Sequence, residues 1–412
     1  MKQQITDHIH DPEALERLYR QNRRDFTREF PSVAGADGSD LARFWKIRLQ
    51  YEAGSRVAFS LQELSGVIAI MLLTAILIKL PVVFTRIDET AFYLRDFAII
   101  TFNGLILYTF HQNSISRSWR MGYGAAVVVL LLYVNFLPFR EGDSLTIVFI
   151  HVPLFLWCLF GASYISFDFR NAGKKMDFIR HNGELLTMTG LLLIAGAMLT
   201  GITIGLFEAI GIQAEKTYAA YVAIPGAAAS PVLASYLIRL YPDITRRIVP
   251  VVARVFTPVV LATLVIYLVA LAFSGIRILE DRNILILFNV MLVAVTAIIV
   301  FSVTELDRNR NRNIHVMILL ILAIVTLVIN SIALTAIVSR LTYGLTPNRV
   351  VVLVTNLLVF INLVLIAKDL FRTWSDARRL ALLEKTAVNY LVVYFAWTIL
   401  AIFLLPLLFR YR

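Results

Sequence analysis

From residue 62 onward the chain alternates long apolar runs with short polar segments, and each run approaches the length of a bilayer-crossing helix. Eleven runs can be drawn, over about 63–84, 94–111, 121–138, 145–166, 184–211, 219–240, 250–274, 283–304, 314–338, 349–371 and 388–408. Alternating ten-residue segments of the membrane-barrel kind are absent. Ahead of the runs the pattern is amphipathic. "DPEALERLYRQNRRDF" places Leu15, Leu18, Tyr19 and Phe26 on one helical face, with Asp11 as N-cap and Pro12 in the first helical position. After "AGADGSD", the segment "LARFWKIRLQYE" sets Leu41, Phe44, Trp45 and Tyr51 in a stripe flanked by Arg43, Lys46 and Arg48. The expected fold is all-α: a cytoplasmic amphipathic helical hairpin over 1–60, lying on lipid, and a polytopic transmembrane helical bundle over 61–412.

Composition agrees with that pattern. Of the 412 residues 58% are hydrophobic and 16% charged, an excess that a soluble core does not absorb. The net charge of +11 raises a nucleic-acid reading, but the cations sit in loops between the spans. With the N-terminus inside, one side carries ten, two, four, three, three and five Lys and Arg; the other carries two, one, one, two, two and two. That asymmetry sets an N-in, C-out orientation and excludes nucleic acid as the partner. The expected partners are the bilayer itself and anionic lipid headgroups. Cys158 is the single cysteine, so no internal disulfide forms. The opening sixty residues are polar rather than a cleavable leader.

Catalytic signatures are missing: there is no H-E-x-x-H, G-x-S-x-G, P-loop or dinucleotide fingerprint. No cofactor and no metal site is expected. "HNGE" (His181 to Glu184) falls in a loop by this span assignment and reads as a surface cap. Polar residues inside spans are more informative, because hydrocarbon makes them costly. Asn135, His151, Asn289, Asn330, Asn356 and Glu208 fall in outer halves, with Lys79 near the outer end of the first span; Asn362 lies near mid-membrane and Arg254 in an inner half. The outward bias suggests a polar cavity open to the outer side, lined by Glu208, His151, Asn289, Asn330, Arg349 and Asn356. The competing reading is that asparagines join helices by hydrogen bonds and Lys79 snorkels.

Two segments stand apart. "AYVAIPGAAASPVLASYL" puts Pro225 and Pro231 inside a span, where each removes a backbone donor. These prolines are expected to kink or interrupt the span, with neighbours satisfying the freed carbonyls. The nearby Gly190, Gly196, Gly201, Gly205 and Ala227–Ser230, with Pro250 and Pro258 beyond, predict close packing of spans five to seven. In "SRLTYGLTPNRVVVL", Gly344 and Pro347 form an outer turn, Pro347 or Asn348 opens the next span, and Arg340 and Arg349 are outer cations able to meet an anion or Glu208.

"DHIHDPEALERLYR", "MTGLLLIAGAMLTGITIGLF", "IYLVAL" and "YGLTPNRVVVL" followed by Asn356 and Asn362 together resemble an uncharacterised family of bacterial multi-pass membrane proteins, domain of unknown function 4153. The resemblance covers most of the chain and implies a bacterial cytoplasmic (inner) membrane location; it carries over no catalytic residue. Three functional readings follow. The first is a transporter-like or lipid- and small-molecule-binding bundle with an outward polar cavity. The second is a non-catalytic scaffold or sensor acting through the N-terminal hairpin. The third is a lipid-linked glycosyltransferase using Asp88, Glu89 and Asp96 of "RIDETAFYLRD".

Overall fold

The computed structural model describes all residues except 35–37, 56–60, 84–87, 114, 138–141, 210–212, 214, 243–256, 263, 267–268, 270–281, 307–311 and 410–412. The described residues form an all-α architecture that divides into two compact units, Met1–Glu63 and Leu64–Arg412.

The first unit holds four helices: α1 (Lys2–Asp7), α2 (Pro12–Gln21), α3 (Arg23–Ala34) and α4 (Asp40–Ser55). Asp11 caps α2, its carboxylate accepting from the Glu13 and Ala14 amides at 3.0 and 3.1 Å. The single helix expected over 11–26 breaks at Asn22, whose extended backbone ends α2. Its side chain accepts from the Asp25 amide while donating to the Asp25 carboxylate at 2.7 Å, a reciprocal cap that starts α3. The hairpin is therefore corrected to a small helical unit with its own core of Ile5, Leu15, Tyr19, Phe26, Phe30, Trp45 and Leu49. Rings of Tyr19, Phe26, Phe30 and Trp45 lie 5.1–6.1 Å apart. Phe44 is a second correction: it is 58% exposed, because α4 turns Ala42, Trp45 and Leu49 inward instead. The side chain of Tyr51 lies outside the described residues.

The second unit begins with α5 (Leu61–Ile78), a short α6 (Leu80–Val83), α7 (Glu89–Gln112), α8 (Arg117–Phe136) and α9 (Asp143–Tyr164). It continues with α10 (Ala172–Ala209), then α11 (Glu215–Tyr218), which passes through a π-helical turn at Ala219–Ala223 into α12 (Ile224–Leu240). After these come α13 (Arg282–Thr304), α14 (Arg312–Leu341), α15 (Pro347–Ser375), α16 (Leu380–Asn389) and α17 (Leu391–Ile399). A second π turn, Leu400–Leu404, leads into α18 (Leu405–Leu408). Among the described residues nine helical stretches are long and apolar enough to cross a bilayer: Leu61–Ile78, Glu89–Gln112, Arg117–Phe136, Asp143–Tyr164, Ala172–Ile204, Glu215–Leu240, Asn313–Leu341, Pro347–Ser375 and Leu380–Leu408. This is the construction of a multi-pass membrane protein. The run expected over 283–304 is helical as α13, while most of the run at 250–274, with Pro250 and Arg254, lies outside the described residues.

Helices run further into polar sequence than the apolar runs suggest. The helix α10 starts at 172 rather than 184, so "HNGE" is helix interior rather than a loop cap. There His181 stacks on Tyr164 with ring centroids 4.9 Å apart. Likewise α7 starts at Glu89: Asp88 caps it through the Ala91 amide at 2.7 Å, and Asp96 is buried within it, accepting from Asn135 at 2.9 Å. Residues 88–96 of "RIDETAFYLRD" are therefore a helix start and not an acidic loop.

Spans five and six pack together as expected, α10 against α12, while most of span seven lies outside the described residues. A Cβ at Gly190, Gly196 or Gly201 would meet no described residue within 4 Å, so among the described residues these glycines do not mediate tight contact. Gly104 does: a Cβ there would meet the Thr74 hydroxyl at 2.7 Å and Val232 at 3.1 Å, so glycine lets α7 approach α5 and α12. In α12, Ala228, Ala229, Ser230 and Ala234 are buried as small residues at a packed face.

Candidate functional site

The prolines of the α11–α12 span show how polar groups are used here. In the π turn the Ile224 amide bonds back to the Ala219 carbonyl, five residues earlier. In that register the Ala220 carbonyl would meet residue 225, which is proline and has no N–H to give. Lys79, at the end of α5, donates its ammonium to that carbonyl and sits 4.5 Å from the centre of the Tyr221 ring. Lys79 therefore bridges two spans and does not snorkel to the surface. Pro231 frees the carbonyl of Ala227, four residues before it, and the Ser230 hydroxyl donates to that carbonyl at 2.8 Å. The interruption expected at Pro225 and Pro231 takes the form of a π turn and two repaired carbonyls.

The expected cavity residues are brought together only in part. Asn356 of α15 donates its amide to Asn289 Oδ1 of α13 at 2.8 Å, and Asn330 of α14 donates to the Asn356 main-chain carbonyl at 3.1 Å. Asn330 and Asn356 are 0% and 1% exposed, so the three form a ladder joining helices. Among the described residues Asn330 Oδ1 is buried without a partner, as is Asn362 Oδ1, whose amide nitrogen donates to the Tyr394 hydroxyl at 2.9 Å. His151 of α9 is buried, with Nδ1 2.8 Å from the Ile147 carbonyl and its ring edge-on to Trp397. Trp397 donates to Thr355 at 3.1 Å.

Glu208 and Arg349 are not part of this cluster. Glu208 is exposed near the end of α10. Arg349 turns back and donates to the Gly344 carbonyl at 2.6 Å, closing the turn in which Gly344 holds φ +106°. Thr346 caps α15 and Pro347 opens it.

A cleft forms elsewhere, between the ends of α9, α10 and α17. Trp157, Cys158, Gly161 and Ala162 of α9 line one wall, Lys175 and Phe178 of α10 another, and Leu391, Val392 and Phe395 of α17 a third; Ile165 and Phe169 close one end. Its volume is about 50 Å³. Gly161 is required there, since a Cβ would fall 2.8 Å from the Phe178 ring. Phe178 is held between Trp157, Phe160 and Tyr164 at 5.5–5.6 Å, and Trp157 donates to Asn182 at 2.8 Å. Beyond Tyr164 the helix ends in a reciprocal pair of bonds, Phe167 amide to Ala162 carbonyl at 2.7 Å and Ser166 amide to Ser163 carbonyl at 3.0 Å. This end forces Ser166 and Phe167 to φ of 54° and 60°, a left-handed backbone that disfavours both residues. Phe167 stacks flat on Trp119 at 4.3 Å.

Among the described residues Lys175 is the one charged residue lining the cleft, and it is 7% exposed. Its ammonium makes one hydrogen bond among the described residues, to the neutral Asn389 amide oxygen at 2.8 Å. The neighbouring Lys174 takes the nearby carboxylate, Asp168, at 3.1 Å. The sequence reading missed this lysine because it counts as an ordinary loop cation until α10 is seen to begin at residue 172. Among the described residues no group of three or more His, Cys, Asp or Glu is placed to hold a metal ion.

Comparison with known proteins gives no matching family model, no matching curated protein and no matching solved structure.

Proposed function

We propose that this is a bacterial cytoplasmic-membrane protein whose bundle binds an amphiphilic small molecule or lipid, without converting it chemically. The observation that carries the reading is the apolar cleft walled by Trp157, Phe178, Leu391, Val392 and Phe395 with a charged residue at its margin. Apolar walls with one polar group are the usual composition of a small-molecule site. Its volume of about 50 Å³ suits a short stretch of chain, the rest of the ligand lying in the bilayer. The buried asparagines, hydrogen-bonded to one another and to backbone, support helix joining rather than an outward cavity.

Cys158 lines the cleft and is partly exposed, so it reports occupancy without mutation. In detergent-solubilised protein, long-chain amphiphiles are expected to slow alkylation of Cys158 by N-ethylmaleimide in a saturable way, while a two-carbon analogue does not. Alkylation unchanged by any long-chain amphiphile would overturn the reading.

The N-terminal unit supports a second reading, a membrane-held scaffold or sensor. Its aromatic core gives it a fold of its own, which an anchor segment does not need. On that reading, removing residues 1–55 abolishes the cellular phenotype of the protein while the bundle keeps its melting temperature; a truncated protein that still complements a deletion contradicts it.

A further inference from the structure

Among the described residues Lys175 is the one buried cation. Burial of an ammonium in apolar surroundings is costly unless it is paired and hydrogen-bonded. The exposed cations Arg20, Arg28 and Lys174 each have a carboxylate within 3.3 Å, although none of them needs one in water. Lys175 differs: it is nine-tenths buried, with a neutral amide as its hydrogen-bond partner and a wall of aromatic and aliphatic side chains beside it, and Asp168, paired with Lys174, reaches it only through space. An ammonium has three donor hydrogens, and Asn389 accepts one of them.

We infer that the cleft between α9, α10 and α17 is a binding site for an anionic amphiphile, with Lys175 Nζ holding the negative headgroup and Trp157, Phe178, Val392 and Phe395 holding the chain. The inference rests on the amphiphile-binding reading above and specifies its charge. Asn389 orients the ammonium from behind. The required chemistry is a carboxylate or phosphate ester joined to a long alkyl chain, which a fatty acid and an anionic phospholipid share. Position agrees with such a ligand: by the Lys and Arg distribution, the start of α10 lies at the inner face, where anionic headgroups attract cations. The walls also argue against a free anion, since a bare phosphate gains nothing from an apolar wall and loses its hydration there.

The test uses the full-length protein in phosphatidylcholine nanodiscs, with Cys158 alkylation as the readout. The probes are oleate, oleyl alcohol, inorganic phosphate and replacement of one lipid in five by phosphatidylglycerol. Oleate is expected to protect Cys158 at about tenfold lower concentration than oleyl alcohol, the size of one charge-assisted hydrogen bond. Lys175→Gln should erase that preference and Lys175→Arg should retain it. The arginine variant guards against misreading a glutamine variant that folds poorly, and Val392→Trp, which fills the cleft, should abolish protection in either background. Protection by phosphatidylglycerol but not oleate assigns the site to a phospholipid, and the reverse to a fatty acid. Equal protection by oleate and oleyl alcohol in the unmodified protein overturns the anionic assignment while leaving amphiphile binding intact. Protection by neither compound and by no lipid overturns both. Protection by inorganic phosphate alone overturns the amphiphile in favour of a simple anion site.

Discussion

Among the described residues two spans contain a π turn ending two residues before a proline: Ala219–Ala223 before Pro225, and Leu400–Leu404 before Pro406. In each the bulge shifts the backbone register, a proline withholds an amide just after it, and a side chain from another helix donates to a carbonyl in or beside the turn: the one five residues before Pro225 in the first span, and the one four residues before Pro406 in the second. The donors differ. The first span uses Lys79, a charged ammonium from α5, on Ala220. The second uses Tyr133, a neutral hydroxyl from α8, on Ile402 at 2.8 Å. Tyr133 also packs its ring on Phe403, within a buried cluster of α7, α8 and α9 residues. The pair shows that one backbone defect in hydrocarbon can be repaired in two ways. A charged donor gives the stronger hydrogen bond but must itself be accommodated, here by the Tyr221 ring, whereas a neutral donor fits an apolar cluster without further support.

The largest effect is expected at Lys79. Lys79→Met keeps the stem's packing but leaves the Ala220 carbonyl unmet and should lower stability by about 2 kcal/mol in detergent thermal unfolding. Pro225→Ala restores a backbone donor, so the double variant should recover about half of that loss. If Lys79→Met costs the same with or without Pro225, the ammonium is not serving the proline's carbonyl, and the parallel between the two spans breaks. Tyr133→Phe is the neutral counterpart and should cost about 1 kcal/mol, with partial recovery in Pro406→Ala. A Tyr133→Phe cost equal to or above that of Lys79→Met would reverse the ranking of charged over neutral donors.

The smallest effect is expected where a charged donor works in water. In the N-terminal unit Arg48 donates to Glu16 at 2.6 Å and lies 4.5 Å from the Trp45 ring. That hydrogen bond, followed by the one from Arg20, holds the Glu16 carboxyl below its ordinary value of 4.5. A carboxylate with a lowered folded value stabilises fully above its unfolded value, and the contribution is lost as pH falls through the folded one. Protection against hydrogen exchange over residues 12–49, measured relative to the intrinsic rate at each pH, should therefore fall as pH drops below about 4.5. Glu16→Gln should flatten that dependence while costing at most about 1 kcal/mol at neutral pH. An unchanged pH profile in Glu16→Gln would remove the ion pair from the account of this unit.

Much of the fold was legible because apolar run length reports a membrane helix directly: nine of the eleven expected runs correspond to long apolar helices. Helix starts were less legible. Apolar runs mark where hydrocarbon begins, while helices such as α7 and α10 extend beyond it into charged sequence. That is why "HNGE" read as a loop and Lys175 as a loop cation. The caps at Asp11 and Thr346 were legible, since capping is decided within three residues. Partners across helices were not: nothing local in the sequence links Lys79 to Ala220 or Asn356 to Asn289. Gly190, Gly196 and Gly201 meet no close neighbour among the described residues, because a glycine invites a close neighbour without supplying one. Phe44 shows the limit inside a single helix, where an apolar residue beside a buried tryptophan still faces outward.

The central claim is that polar groups among the spans hold the bundle together, while ligand enters at the cleft marked by Lys175. The most direct measurement compares two thiols in oriented vesicles: native Cys158, and a cysteine at position 356 made by Asn356→Cys in a Cys158→Ser background. Both proteins are checked first for unchanged melting temperature. The account predicts that Cys158 reacts with membrane-permeant N-ethylmaleimide and is protected by oleate, and that position 356 stays unreactive toward a membrane-impermeant maleimide applied from either side. Rapid labelling of position 356 by the impermeant reagent from the outer side, with Cys158 indifferent to oleate, would contradict it and return the site to an outward cavity among the asparagines.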